Sequence, residues 1–390
     1  MKALLALSIA AALAATGAQA QNAVQISGFG QIVAGSVIDG GRNPATGAVS
    51  FPAAAYDDGV DFQPESLFAV QARGEINEQW SATAQIVARG GEDFSPEFAW
   101  AFIGWNGGNG WSAKFGRQRL PLYRYSDFLE VGFAFPWLRV PTAVYNLDFS
   151  NYDGISVGYS TAHGDWFSSV QGIGGRLRDE VEFGTGVTAD ADLESLFGLA
   201  AETTYADWLT LRASYFRTEA TLNIPALNPL FGALRANGFG NVATRLDFDA
   251  DSSSFWGLGM EINHGNWLLI GERIGVESEG SFLSDRSEFY LTAGHRFGNL
   301  LPTVTYGRRD NDAKTDIPGL LPAVPALATL RAGVTQLVMS EAIDDTYWSY
   351  GLRWDFARNM AFKADYTRFT TETPGSVDAD AVAAGLVFTF

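Results

Sequence analysis

A chain of 390 residues, with 43 glycines, 13% aromatic and only 18% charged residues, can enclose a large interior, and it has no cysteine with which to cross-link one. Its formal charge of −18 excludes nucleic acid as a partner, which would need a basic face. Lysine is confined to Lys2, Lys114, Lys314 and Lys363, so the cations are otherwise arginines, whose planar heads suit fixed bidentate contacts with carboxylates.

The N-terminus reads as a secretory signal. Met1-Lys2 is a short positive start, Ala3 to Ala15 an apolar run, and Ala18-Gln19-Ala20 a small-residue cleavage site, so residues 1–20 are a signal peptide and 21–390 the mature domain. The apolar run is shorter than the ~20 residues a spanning helix needs. No other uninterrupted apolar run has spanning length, so no helical anchor is expected. Without cysteine, stability has to come from backbone hydrogen bonds and packing.

From Val24 onward the sequence alternates with period two in runs of roughly ten residues. Phe68, Val70 and Ala72 alternate with Ala69, Gln71 and Arg73; Trp348, Tyr350, Leu352 and Trp354 alternate with Ser349, Gly351, Arg353 and Asp355. A soluble sandwich would alternate too, with its apolar face inward. The connections decide between them. Tight turns at Asn77–Gln79, Asn106–Gly110, His163–Asp165, Ala206-Asp207, His264–Asn266, Gly298-Asn299 and Arg358-Asn359 alternate with long links. The long links include 39–63, 116–149, 176–193, 222–249 and 310–343. Trp80, Trp111, Trp166, Trp208 and Trp267 each follow a tight turn. Short turns at one end, long loops at the other and an aromatic belt describe an all-β, transmembrane antiparallel β-barrel.

About sixteen strands are expected, starting near Val24, Pro64, Gln79, Ser95, Gly110, Ser150, Asp165, Glu194, Trp208, Asp251, Asn266, Arg286, Leu300, Asp344, Asn359 and Asp378. Two places resist the pattern. Trp208 falls on the parity of Arg212, and Glu272 and Arg273 are adjacent, so one of them breaks alternation. In the last strand Val382, Ala384, Leu386, Phe388 and Phe390 share one apolar face and end the chain on an aromatic. That ending resembles the C-terminal signature of outer-membrane barrels, which implies recognition of Phe390 by the barrel-insertion machinery.

The stretch from Gly116 to Tyr145 is broken by Pro121, Pro136 and Pro141, yet it is too aromatic for a floppy surface loop. It needs an enclosure to pack against. In a sixteen-strand count it follows the fifth strand and is the third long loop. That position, with Gly116-Arg117-Gln118-Arg119, Tyr125-Ser126-Asp127 and Pro136-Trp137-Leu138-Arg139, resembles the trimeric general porins of Gram-negative bacteria and a porin-like proteobacterial subgroup. The resemblance implies short periplasmic turns, long extracellular loops, a third loop (116–149) folded into the lumen as a constriction, and a homotrimer. Family members carry acidic residues on this loop and arginines on the facing wall. Here the loop itself supplies four arginines, a departure that bears on ion preference.

The constriction candidates are Arg117, Arg119, Arg124, Asp127, Glu130 and Arg139. Wall residues on the inward parity are Arg73, Gln85, Arg89, Lys114, Arg212, Arg353 and Lys363, with Gln71. Opposed charges at a narrow point would orient dipolar solutes. The plainer role for any loop arginine is to pin the loop through Asp127 or Glu130. Asp148 and Asp153 read as turn or anchor residues. Acidic clusters in the long loops, such as Asp57, Asp58 and Asp61, read as a solvated surface or as sites bridged by divalent cations to lipopolysaccharide. His163, His264 and His295 have no nucleophile motif, and no glycine-rich stretch precedes a helix, so neither catalysis nor a cofactor or resident metal is expected. The expected function is passive diffusion of small hydrophilic solutes and ions across the outer membrane. The alternatives are a channel selective for sugars or carboxylates and a plugged structural or adhesin barrel.

Overall fold

Backbone pairing turns the alternation into a closed wall. The computed structural model describes residues 24–43, 46–147, 149–183, 187–373 and 376–390, so the signal-peptide reading and Asp148 lie outside the described residues. The first eight strands are β1 (Gln25–Gly40), β2 (Leu67–Glu75), β3 (Trp80–Arg89), β4 (Ser95–Gly108), β5 (Trp111–Arg119), β6 (Asn151–His163), β7 (Trp166–Phe183) and β8 (Val187–Tyr205). The remaining strands are β9 (Leu209–Asn223), β10 (Phe248–His264), β11 (Trp267–Ser278), β12 (Asp285–His295), β13 (Leu300–Asp312), β14 (Ile343–Ala357), β15 (Met360–Thr371) and β16 (Ala379–Thr389). Each pairs antiparallel with the next and β16 pairs with β1, so the sixteen strands form a closed barrel with no free edge.

Side-chain direction follows from the pleat. Phe68 and Val70 of β2 are exposed on the outside, while Leu67 and Ala69 are buried inside. The tryptophans after the tight turns form a girdle: Trp111 stands 4.9 Å from Tyr159, and Trp166 4.8 Å from Tyr205. Trp208 lies in the turn before β9, edge-on to Tyr205 and His264, which removes its parity conflict. Glu272 points inward and Arg273 is exposed, so the adjacent pair keeps the alternation.

Closure depends on glycine at one point. The backbone amides of Gly28 and Phe390 exchange hydrogen bonds of 2.9 Å, and the Phe390 ring lies so close that a Cβ on Gly28 would stand 2.3 Å from it. Only a residue without a side chain admits the terminal ring there.

Four stretches differ from the sequence expectation, in three ways. Residues 176–193, expected as a long loop, are mostly the paired extensions of β7 and β8, down to Phe183 opposite Val187. Leu177, Val181, Ala189, Ala191 and Leu193 alternate inward and carry the ladder on past the point where charges had suggested a loop. The β9–β10 link contains helices α1 (Asn228–Ala236) and α2 (Gly240–Leu246), and the β13–β14 link contains α3 (Ala328–Met339). Among the described residues no helix is long and apolar enough to cross a membrane. Phe231, Leu234, Val242, Leu246, Val334 and Val338 pack these helices into one cluster with the upper lumen.

The third difference is the β1–β2 link. Phe51 and Tyr56 are buried against Val33, Leu138, Tyr347 and Phe369, so the first long loop enters the barrel as well. Gly35 of β1 makes room for it, since a Cβ there would meet the Tyr56 ring at 2.2 Å.

Candidate functional site

The third long loop crosses the barrel between β5 and β6 and is held from several sides. Its prolines prevent a long helix, and only two short 3-10 turns form, at Ser126–Phe128 and Gly132–Ala134. Its aromatic side chains replace the missing regular structure. Tyr125 packs edge-on against Phe128, Phe135 and Trp137, with ring centroids 5.4–6.3 Å apart. The Trp137 indole N–H donates to the Thr292 and Thr305 hydroxyls on β12 and β13, at 2.9 and 3.1 Å.

Backbone left without a ladder needs other partners. Lys363 of β15, fully buried, donates from Nζ to the carbonyls of Gly132, Phe135 and Trp137, the second at 2.6 Å. Arg353 of β14 donates to the carbonyls of Phe133 and Phe135 at 2.8 and 2.9 Å. Arg212 of β9 donates to the Pro121 carbonyl at 2.6 Å. Three inward wall cations therefore serve as hydrogen-bond anchors for the loop, not as free charges facing a pore.

The loop's own arginines reach the other way. Arg119 pairs with Glu130 at 2.5 Å, and Arg89 of β3 holds the other Glu130 oxygen. Arg124 lies between Glu202 and Glu261 at 3.2 and 3.3 Å, while its backbone N–H donates to Glu272 at 2.9 Å. Glu272 also accepts from the hydroxyls of Tyr145 and Tyr290. Arg139 forms a bidentate pair with Glu65 at 2.6 and 2.8 Å and reaches Asp365 at 3.1 Å. Tyr56 of the first loop donates to Glu65 at 2.6 Å, which ties both inserted loops to one cluster.

Arg117 is elsewhere. It shares parity with the outward Phe115 and forms a bidentate pair with Asp153, directly opposite on β6, at 3.0 Å. It is a charge on the outer wall, and the constriction assignment is corrected for this residue. Its parity with Phe115 was the available signal. The same pair makes Asp153 a strand residue, not a turn. Asp127 is exposed and forms no ion pair among the described residues.

Of the wall candidates, Gln85 donates to Gln71 at 3.1 Å. Arg73 and Lys114 line an open space of about 850 Å³ along β2–β5, together with Gln71 and Glu75. Lys114 also lies 5.3 Å from the Phe102 ring centroid. The residues missed from sequence are the acceptors Glu65, Glu202, Glu261, Glu272 and Asp365. Four of them stand on strands, and for Glu272, between Ile270 and Ile274, an acid in an apolar inward row was the usable clue. The three histidines stand by the girdle: His163 and His264 pair opposite Trp166 and Trp267, and His295 packs on Trp267.

Burial alone would raise the pKa of Glu130, but the Arg119 and Arg89 guanidinium groups outweigh it and hold the carboxyl below its ordinary value. A depressed folded pKa contributes stability above the unfolded value that is lost only as pH falls through the folded one. Single-channel conductance is therefore expected to show no step attributable to this pin down to about pH 5, above the usual Glu titration near 4.3. Replacing Glu130 with Gln should loosen the loop at neutral pH. A Glu130-dependent conductance step between about pH 5 and 7 would contradict the pairing.

A closed antiparallel barrel, aromatic at one rim and crossed internally by a loop, has the architecture of the outer-membrane β-barrel porins. No protein-family model matches the sequence, and no curated protein matches it. Solved structures do. An anion-selective porin from Comamonas acidovorans aligns with a TM-score of 0.56 at 12% identity, over 95% of this chain and 100% of its own. OmpF of Salmonella typhi, solved in complex with daunomycin, gives 0.55 at 14% identity over 95% and 98%. The trimer form of OmpT, an outer-membrane protein of Vibrio cholerae, gives 0.52 at 12% identity over 95% and 99%. The chain has the sixteen-strand fold of Gram-negative porins.

Proposed function

We propose that this protein is an outer-membrane porin through which small hydrophilic solutes and ions diffuse passively, with no catalytic step. The observation that carries the reading is the division of the lumen. The third loop is pinned to β9–β15 and, through Glu130 and Arg89, to β3, while the space toward the tight-turn ends of β2–β5 stays open and polar, lined by Gln71, Arg73, Glu75 and Lys114. Asp127 is an exposed loop carboxylate with no ion pair among the described residues. Because Arg119, Arg124 and Arg139 are neutralised by carboxylates, the conducting path keeps few net fixed charges, and weak ion selectivity follows.

Planar-bilayer recording tests this. Expected are a conductance that does not saturate with salt and a reversal potential near zero in a salt gradient. Absence of any channel current would favour a plugged structural barrel, and strong cation selectivity would contradict the charge arrangement.

The rest of the reading is cellular. The chain is exported with cleavage after Ala20, inserted through recognition of Phe390, and assembled as a homotrimer in lipid. Lipopolysaccharide would contact the outer charged row in which Arg117–Asp153 continues sideways to Arg176–Asp192 on β7 and β8. A substrate-selective channel is the second reading, and it is favoured by one observation: part of the lumen is apolar.

A further inference from the structure

Between the third loop and the walls of β8–β11 lies a partly open cavity of about 140 Å³. Leu122 and Phe149 of the loop, Phe216 of β9 and Phe255 of β10 give it an apolar surface. Such a surface is unusual in a lumen meant only for water and ions. The lining also carries polar side chains, among them Asn146, Thr218 and Ser278, and two of its groups stand out. Ser284, 2% exposed, lines the cavity, and its hydroxyl has no hydrogen-bond partner among the described residues. Arg286, on the inward parity of β12, also lines it, and its guanidinium makes no hydrogen bond or ion pair among the described residues. The carboxylates that feel its charge, Glu288 and Glu341, do so from beyond ion-pair distance, and Glu288 accepts instead from the Asn146 amide at 2.8 Å.

We propose that this cavity is a binding site for a small carboxylate with one ring-sized apolar body, its oxygens accepting from the Arg286 guanidinium and the Ser284 hydroxyl. The site rests on the reading of the barrel as a channel and narrows its substrate class. An apolar cavity of about 150 Å³ is known to hold a benzene ring, so the volume suits a monocyclic body. A neutral ring would fill the walls but leave a buried hydroxyl and a guanidinium unmatched. Acetate would match the polar edge and leave the walls empty. A sugar would put its hydroxyls against phenylalanine and leucine. A buried polar pair that only one partner can satisfy is the usual source of sharp discrimination.

Calorimetric titration of the full mature protein in lipid nanodiscs, with sodium benzoate, sodium acetate and benzyl alcohol, tests the assignment. Benzoate should bind saturably, with acetate and benzyl alcohol each weaker by about tenfold or more. Arg286→Gln should weaken benzoate by about tenfold while leaving benzyl alcohol unchanged, and Ser284→Ala should weaken benzoate several-fold. Chloride conductance of the same preparations shows that the barrel is intact. The assignment is overturned if benzoate shows no saturable heat, if benzyl alcohol binds as tightly, or if Arg286→Gln leaves benzoate binding unaltered. Chloride current without benzoate binding removes the site and leaves the channel standing. Benzoate binding without current removes the channel and leaves the site.

Discussion

Lys363→Met should raise single-channel conductance and add open-channel noise, because it releases the third loop from the wall. The side chain keeps its length and its apolar contacts, but the carbonyls of Gly132 and Trp137 lose their side-chain donor and that of Phe135 loses one of two. Each charge-assisted bond contributes about 1.5–3 kcal/mol, and removing a buried ammonium recovers part of that through desolvation, so the net loss for the docked loop is roughly 2–4 kcal/mol. At 1.4 kcal/mol per tenfold, the released-to-docked ratio rises by roughly 30- to 1,000-fold. Arg353 still holds Phe133 and Phe135, so the double variant with Arg353→Met should add to the effect. Cleavage of the loop by added protease should rise in parallel. A Lys363→Met channel with wild-type conductance, noise and protease resistance would show that the aromatic packing alone fixes the loop.

Arg139→Ala should be the most destabilising single change in the lumen. Arg139 is the cation shared by Glu65 and Asp365, whose side chains are 13% and 5% exposed, and among the described residues no other cation is paired with either of them. Breaking a buried pair by removing one partner costs about 3–5 kcal/mol, since the remaining charges stay uncompensated. The loss reaches beyond the third loop. Glu65 also accepts from Tyr56, and Phe51 lies 5.8 Å beneath the guanidinium, so the first loop should loosen too. Thermal unfolding in detergent should show a clearly lowered midpoint. Adding Glu65→Gln to Arg139→Met should recover part of it, as coupled partners are not additive. A midpoint for Arg139→Ala equal to wild type would mean that this cluster is hydrated and not structural.

The barrel itself was legible along the chain because one physical variable sets it. In lipid every backbone group must be paired within the sheet, and the period-two pattern states which side faces which solvent. Tight turns followed by tryptophan, the even strand count and the aromatic end at Phe390 all express that single requirement locally. So does the proline-broken aromatic loop at Gly116–Tyr145, whose composition already demanded an interior.

What each charged residue inside the barrel does could not be read this way. Arg124 meets Glu202 and Glu261 across 78 and 137 residues of sequence, and Lys363 meets the Gly132 carbonyl across 231. No local pattern encodes such distances, and the loop carbonyls that capture Lys363 and Arg353 exist only once the backbone has crossed the lumen. The apolar cavity had the same origin. Leu122, Phe149, Phe216 and Phe255 are unremarkable aromatic and aliphatic positions until closure brings loop and wall together around Ser284 and Arg286. Alternation follows from the chain's contact with two solvents, whereas pinning and pocket follow from contacts that closure alone creates.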